Sequence, residues 1–239
     1  MKKILLLTIS FAITSCAQVQ QTLNQLPQIS SQIPGAGGID IAAGLKEALN
    51  KGITQQVSKL TAVDGFYKNE AVKILLPSEL QKVDASLRKI GLGSLADEGI
   101  KVLNRAAEDA VKEATPIFVS AVRNMTFTDA KNILLGNDIA ATNYLQTTTT
   151  SALYSKFNPV IKNSFEKVGA DVVWKKIIDR YNTIPLMKKV NPDLTDYTTN
   201  QALTGVFKMI AVEEKEIRNN LNARTTPILK GVFAMQDGK

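Results

Sequence analysis

The stretch SLADEGIKVLNRAAEDAVKEA, residues 94–114, is written in the 3.6-residue period of an α-helix. Ala96, Ile100, Leu103, Ala107, Ala110 and Ala114 fall on one face. Four of these six are alanines, and side chains that small let a second helix approach closely, so the stretch predicts a central packing helix. Ser94 followed three residues later by Asp97 has the form of a capping box, and Pro116 is placed to break or kink the helix.

The same period extends outward in both directions. Upstream, Ser78 is expected to open a helix that Gly91 ends, and Asp40 to cap one reaching about residue 60, with Ile41, Leu45, Leu49, Ile53, Val57 and Leu60 on its apolar face. Between them only Val72, Ile74 and Leu76 alternate as a strand would, which allows at most one short β-hairpin. Downstream, Thr126 or Thr128 is the expected cap of a short helix ending at Gly136. Asn137 is the expected cap of the next, and Pro159 suits the first turn of a third. Asp171 is expected to begin a helix carrying Val173, Trp174, Ile177, Ile178 and Tyr181. A long helix over residues 195–219 and a final short one after Pro227 close the chain. With no internal repeat, the reading is all-α: a single irregular bundle of about eight to ten helices.

The first residues read differently. Lys2 and Lys3 precede a mostly apolar run from 4 to 13 of about ten residues, which is export-signal length and too short to cross a bilayer. Ile13, Thr14, Ser15 and Cys16 resemble the bacterial lipobox, and Cys16, the single cysteine, stands where the acyl chains are attached. Residues 17–39 are uncharged and rich in Gln, Pro and Gly, the composition of a tether, with a short helix through Val19, Leu23, Leu26 and Ile29 as the alternative. The organisation expected is a lipoprotein signal over 1–15, a lipid-anchored tether over 16–39 and a helical domain over 40–239. Ala17 after the cysteine implies the outer membrane, and the absence of an acidic cluster beyond it implies the periplasmic face.

Composition narrows the chemistry. The chain of 239 residues has no histidine and one cysteine, which excludes imidazole catalysis, an internal disulfide and a cysteine zinc site. No metal or cofactor is expected. The formal charge of +7 falls to about +5 once Lys2 and Lys3 are removed, and only six of the 29 basic residues are arginines. With few stacking aromatics, that balance argues against a nucleic-acid partner. Gly91, Gly93 and Ala96 match GxGxxA, but a helical pattern precedes them where a dinucleotide site needs a strand. Ser86 with Lys89, and Ser164 with Lys167, match SxxK without its companion motifs, so no catalytic residue is assigned.

The polar cluster of interest is Glu214, Arg218 and Asn104. Glu214 falls on the apolar stripe of Leu203, Val206, Phe207, Ile210, Ile217 and Leu221, with Arg218 one turn on. The expected role is a structural ion pair, and the alternative is a general base with a raised pKa in a cleft. Asn104, at a stripe edge, is expected to bond to another segment's backbone. Glu108, Asp109 and Lys112 are expected on a solvated face with Arg105 as a local partner.

These residues resemble a bacterial domain of unknown function, catalogued as four-one-nine-seven, found in small exported proteins and lipoproteins. The carriers are Asp64, Gly65 and Phe66 through Ile74 to Pro77; residues 103–108; Asp129, Ala130, Ile133, Leu134 and Gly136; Ala140, Ala141, Thr142, Tyr144 and Leu145; and Glu213, Glu214, Ile217 and Arg218. The resemblance covers about residues 40–235 and implies no assigned activity, cofactor or catalytic residue. The expected function is an envelope lipoprotein acting as a non-enzymatic binding module for an apolar ligand, a lipid or an envelope protein. In that reading Phe157, Phe165, Trp174, Tyr181 and Phe207 line a groove or form plain core. The alternative is a periplasmic hydrolase using carboxylates or hydroxyls.

Overall fold

Long amphipathic runs separated by short turns and by longer irregular segments fold as nine α-helices among the described residues, with no strand. The computed structural model describes residues 40–237, apart from 78–80, 90, 92, 184, 187 and 192; the expected signal segment, Cys16 and the expected tether lie outside them. In chain order the helices are α1 (Ile41–Thr61), α2 (Gln81–Lys89), α3 (Gly93–Val111), α4 (Ala114–Asn124), α5 (Phe127–Leu135), α6 (Ala140–Glu166), α7 (Ala170–Asn182) and α8 (Leu194–Asn219). A 3₁₀ turn (Leu221–Ala223) leads to α9 (Pro227–Ala234). The fold is an all-α bundle.

The alanine face of α3 packs as its composition dictates: Ala106, Ala107 and Ala110 are sealed against neighbouring helices. The most extensive helix contact is nevertheless between α6 and α8, with α3 laid across both and α1 joining α3, α4, α5, α8 and α9. One core lies among α3, α4, α6, α8 and the second half of α1. A smaller one joins the first half of α1 to α5, the start of α6, the end of α8 and α9. Phe157, Phe165 and Phe207 are buried in the larger core, where Phe207 meets Phe118 edge to face at 6.0 Å. These rings are core and line no groove; the side chains of Trp174 and Tyr181 lie outside the described set.

Several boundaries differ from the sequence expectation for physical reasons. Pro159 opens no helix: it sits inside the 27-residue α6. It is exposed there, so water can reach the Ser155 carbonyl that loses its helical partner. α3 ends at Val111 and α4 begins at Ala114, which puts Pro116 in a first turn, where a missing N–H costs nothing. Ser94 lies within the first turn of α3, not before it, and Asp97 is instead held by Arg88 Nη2 of α2 at 2.6 Å. Thr126 is the cap of α5, in a complete capping box with Asp129. Asn137 accepts the Ile139 N–H at 3.1 Å, ahead of α6, and so does not cap it directly.

The segment from Ala62 to Pro77 has no ladder; turns and irregular backbone carry it over α3 and α8. Phe66 is buried against Gly205 of α8, where a Cβ would lie 2.7 Å from the ring. Asp64 turns the chain with φ 69°, and a Cβ on Gly65 would meet the carbonyl oxygens of Lys59 and Leu60 within 2.5 Å. Only glycine admits so close an approach to the end of α1.

Candidate functional site

The start of α6 leaves amides without helical acceptors, and the end of α5 leaves carbonyls without donors. One side-chain pair on α8 serves both. Glu214 Oε1 accepts from the Ala141 N–H at 2.9 Å, and Oε2 from the Thr142 N–H at 2.8 Å and the Thr142 hydroxyl at 2.9 Å. One turn on, Arg218 donates to the Ile133 carbonyl at 2.7 Å and to that of Leu134 at 3.3 Å. The two side chains bond each other through Nε at 2.9 Å and Nη2 at 2.8 Å, at 6% and 5% exposure. The carboxylate therefore sits at the positive end of α6 and the guanidinium at the negative end of α5, the favourable placement for each charge. Arg224 repeats the device at the end of α8: it donates to the Ile217 and Arg218 carbonyls and forms a two-pronged pair with Asp237. The Phe233 ring lies 5.8 Å from the Arg218 guanidinium and 5.6 Å from that of Arg224.

A second network lies on α3. Glu108 is 4% exposed, contrary to the solvated face expected of it. Its Oε1 accepts from the amides of Phe66 and Tyr67 at 3.1 and 3.4 Å, and its Oε2 from Arg105 at 2.5 Å. Arg105 reaches on to Asp64 at 2.6 Å. The reason is tertiary: the loop after α1 lies over what helical counting marks as the polar side. Asn104, fully buried, pairs with both backbone groups of Ile74, accepting its N–H at 2.8 Å and donating to its carbonyl at 2.9 Å. It also donates to the Ile100 carbonyl. The alternating residues 72–76 thus find a side chain where a strand would find another strand. Asn104 serves the α3 junction and is bonded to Ile74 and Ile100, not to Glu214 or Arg218, so the structure splits the expected cluster in two.

Residues 37–234 match the family described as Protein of unknown function (DUF4197). The chain belongs to that family. No curated protein and no solved structure gives a match. The strings that carry the DUF4197 resemblance fall on these junctions: Asp64–Gly65–Phe66 and Asn104 to Glu108 on one, Ala141–Thr142 with Glu214 and Arg218 on the other. Thr142 and Arg224 were not singled out as polar-site residues by sequence reasoning. For Arg224 a signal existed, because arginine is scarce in this chain and this one follows the end of a long helix.

The chemistry open to these groups is limited. Every oxygen of Glu214 is engaged by backbone, hydroxyl or guanidinium donors, so no lone pair faces an incoming substrate. Beside it lies a cavity of about 30 Å³, walled by side chains that include Leu45, Ile53, Ile210, Ile217 and Phe233. That is the room of one water molecule. Among the described residues no three acidic or cysteine side chains gather as a metal site, and no helix is long and apolar enough to cross a membrane. Ser164 is back-bonded to the Val160 carbonyl at 3.0 Å. Gly91, with φ 83°, follows a helix and not a strand.

Carboxylates that tie the elements together make stability acid-sensitive. Lys68, with Arg105 beside it, holds the Asp64 carboxyl below its ordinary value of 3.8; Thr126 does the same for Asp129 and Arg224 for Asp237. A folded pKa below the unfolded one gives stability that is present above the ordinary carboxylate range and lost as pH falls through the folded values. Urea midpoints measured from neutral pH downward should therefore hold until the carboxylate range and then drop. A midpoint unchanged below pH ~3 would contradict this account.

Proposed function

We propose that this DUF4197 chain is an envelope lipoprotein, acylated on Cys16, whose helical domain is a non-enzymatic binding module for an envelope protein partner. The observation that carries the reading is the use of the interior. The buried carboxylates Glu108 and Glu214 are consumed in joining helix ends to loops, and the cavity beside Glu214 has about 30 Å³, against the roughly 300–1,000 Å³ of small-ligand pockets. Neither catalysis by those groups nor carriage of a lipid inside the bundle fits such a core. Recognition then belongs to the surface.

A candidate is the open groove of about 630 Å³ between α4 and α6, with Ile117 and Ala121 of α4 against Tyr144, Thr148, Ala152 and Lys156 of α6. Small apolar residues and hydroxyls in one trough suit a polypeptide segment, which brings both apolar side chains and backbone donors. Burial raises the Tyr144 phenol above its ordinary pKa, so it stays a neutral donor, directed at the Ala121 carbonyl.

The test is crosslinking in cells from a photoreactive residue at position 148 of the full chain. One envelope protein should be captured, and Ala152→Glu should remove that adduct with the melting temperature unchanged. Cys16→Ala should abolish fatty-acid labelling and lipoprotein processing. A lipid co-purifying one to one with the chain would overturn the partner reading, and label persisting on Cys16→Ala would overturn the anchor.

A further inference from the structure

We propose that α7 and the turns flanking it form a docking face for an anionic phospholipid bilayer. The first observation is where the charge lies. Residues 156–189 hold eight basic and three acidic side chains, and the rest of the chain from Cys16 onward is balanced. The positive excess of the mature chain therefore resides in the second half of α6, α7 and the loop after it.

The second observation is how α7 presents that charge. The helix packs on α6 and α8. Its exposed positions Val172, Lys175, Lys176 and Asp179 recur at helical spacing along one outward stripe. Asp179 is bonded to Lys175 at 2.7 Å, which leaves Lys176 as the stripe's uncompensated charge. Val168 is exposed in the turn just before α7, where Gly169 has φ 66°.

At the other end Asn182 folds the following loop back on the helix, accepting the Val190 N–H and donating to the Val190 carbonyl, both at 2.9 Å. Leu186 projects from that closed loop, fully exposed and with φ 66°. A bulky residue in the left-handed region is a conformational outlier, and here no burial within the chain offsets it. Lys188 and Lys189 follow, both exposed.

Apolar side chains thus stand at both ends of a helix about 20 Å long, with lysines between and beside them. Lysines near an anionic surface are drawn to it over a Debye length, and apolar tips enter the boundary between headgroups and acyl chains. A soluble polyanion would use the lysines and leave Val168, Val172 and Leu186 in water, so the combination selects a lipid surface. This inference goes beyond the α4–α6 groove and stands whether or not that groove holds a partner.

The test uses the full chain carrying Cys16→Ala, so that no acyl chain is attached, and vesicle flotation. One vesicle contains phosphatidylglycerol with phosphatidylethanolamine, the other phosphatidylcholine with phosphatidylethanolamine. Lys2→Gln and Lys3→Gln in the same chain remove the charges beside the N-terminal apolar segment, so that its contribution is common to both vesicles and the difference reads the basic face. At low salt the anionic vesicles should be bound about tenfold more tightly or better, with the preference collapsing at high salt. Lys175→Glu with Lys176→Glu should remove the preference. Val172→Ser with Leu186→Ser should weaken anionic-vesicle binding while leaving any binding to heparin unchanged. Equal binding to both vesicles, or a preference kept by the folded glutamate variant, overturns the proposal. Undiminished vesicle binding by the serine variant also overturns it and assigns the face to soluble polyanions.

Discussion

Arg218→Met should destabilise the protein by about 3–5 kcal/mol, the range for breaking a buried ion pair from one side. In a domain of this size that lowers the melting temperature by roughly 6–20 °C. The substitution keeps the length and apolar stem of the side chain but leaves the Ile133 and Leu134 carbonyls without the guanidinium and Glu214 without its partner. Glu214 would still hold the Ala141 and Thr142 amides, so the α6 end survives better than the α5 end. Replacing Glu214 and Arg218 together by apolar residues of similar volume should cost less than the worse single change, because no charge remains buried alone.

Glu214→Gln separates structure from catalysis at the same position. One amide oxygen must then serve acceptor duties that two carboxylate oxygens share, and the new NH₂ meets donors. Stability should fall with it, in step with any loss of function. A chain that kept its melting temperature with Glu214→Gln and lost a cellular phenotype would instead mark Glu214 as a reacting group.

What could be read from the sequence depended on how local the physics was. The apolar stripes of α1, α3 and α8 are properties of neighbouring residues, so counting at 100 degrees per residue was enough; the same local reading narrowed the cap of α5 to Thr126 or Thr128, and the structure selects Thr126. The pairing of Glu214 with Arg218 was open to the same count, since a charge centred on an apolar stripe needs a partner and the nearest lies four residues on. The targets of that pair were not legible. Ala141, Thr142, Ile133 and Leu134 belong to segments more than 70 residues away, and nothing in α8 names them. Glu108 was misread for the same reason, because helical counting does not anticipate a loop laid over a polar face. Pro159 was misread because a proline on the water side of a long helix looks, in one dimension, like a helix start.

Asn104→Leu should destabilise the protein by about 2–6 kcal/mol, since it strands a buried N–H and a buried carbonyl at roughly 1–3 kcal/mol each. Leucine keeps the branching at Cγ and is larger, so no cavity opens and the loss measures the hydrogen bonds to Ile74 together with some overpacking. Asn104→Asp then gives a sign that packing alone would not. An introduced carboxylate accepts the Ile74 N–H but faces the Ile74 and Ile100 carbonyls, which repel it; the protonated acid donates to Ile74 as the amide does. Burial and those carbonyls raise the folded pKa of the introduced carboxyl above its unfolded value. Its stabilising contribution is therefore fully present below the unfolded pKa and lost as pH rises through the folded one. The variant should lie nearest the parent in acid and fall further behind toward neutral pH, opposite in slope to the acid loss set by Asp64, Asp129 and Asp237. Urea midpoints of the two chains across that range check it: parallel curves would mean that Asn104 holds Ile74 by shape, and that the junction between α3 and the loop over it does not rest on these hydrogen bonds.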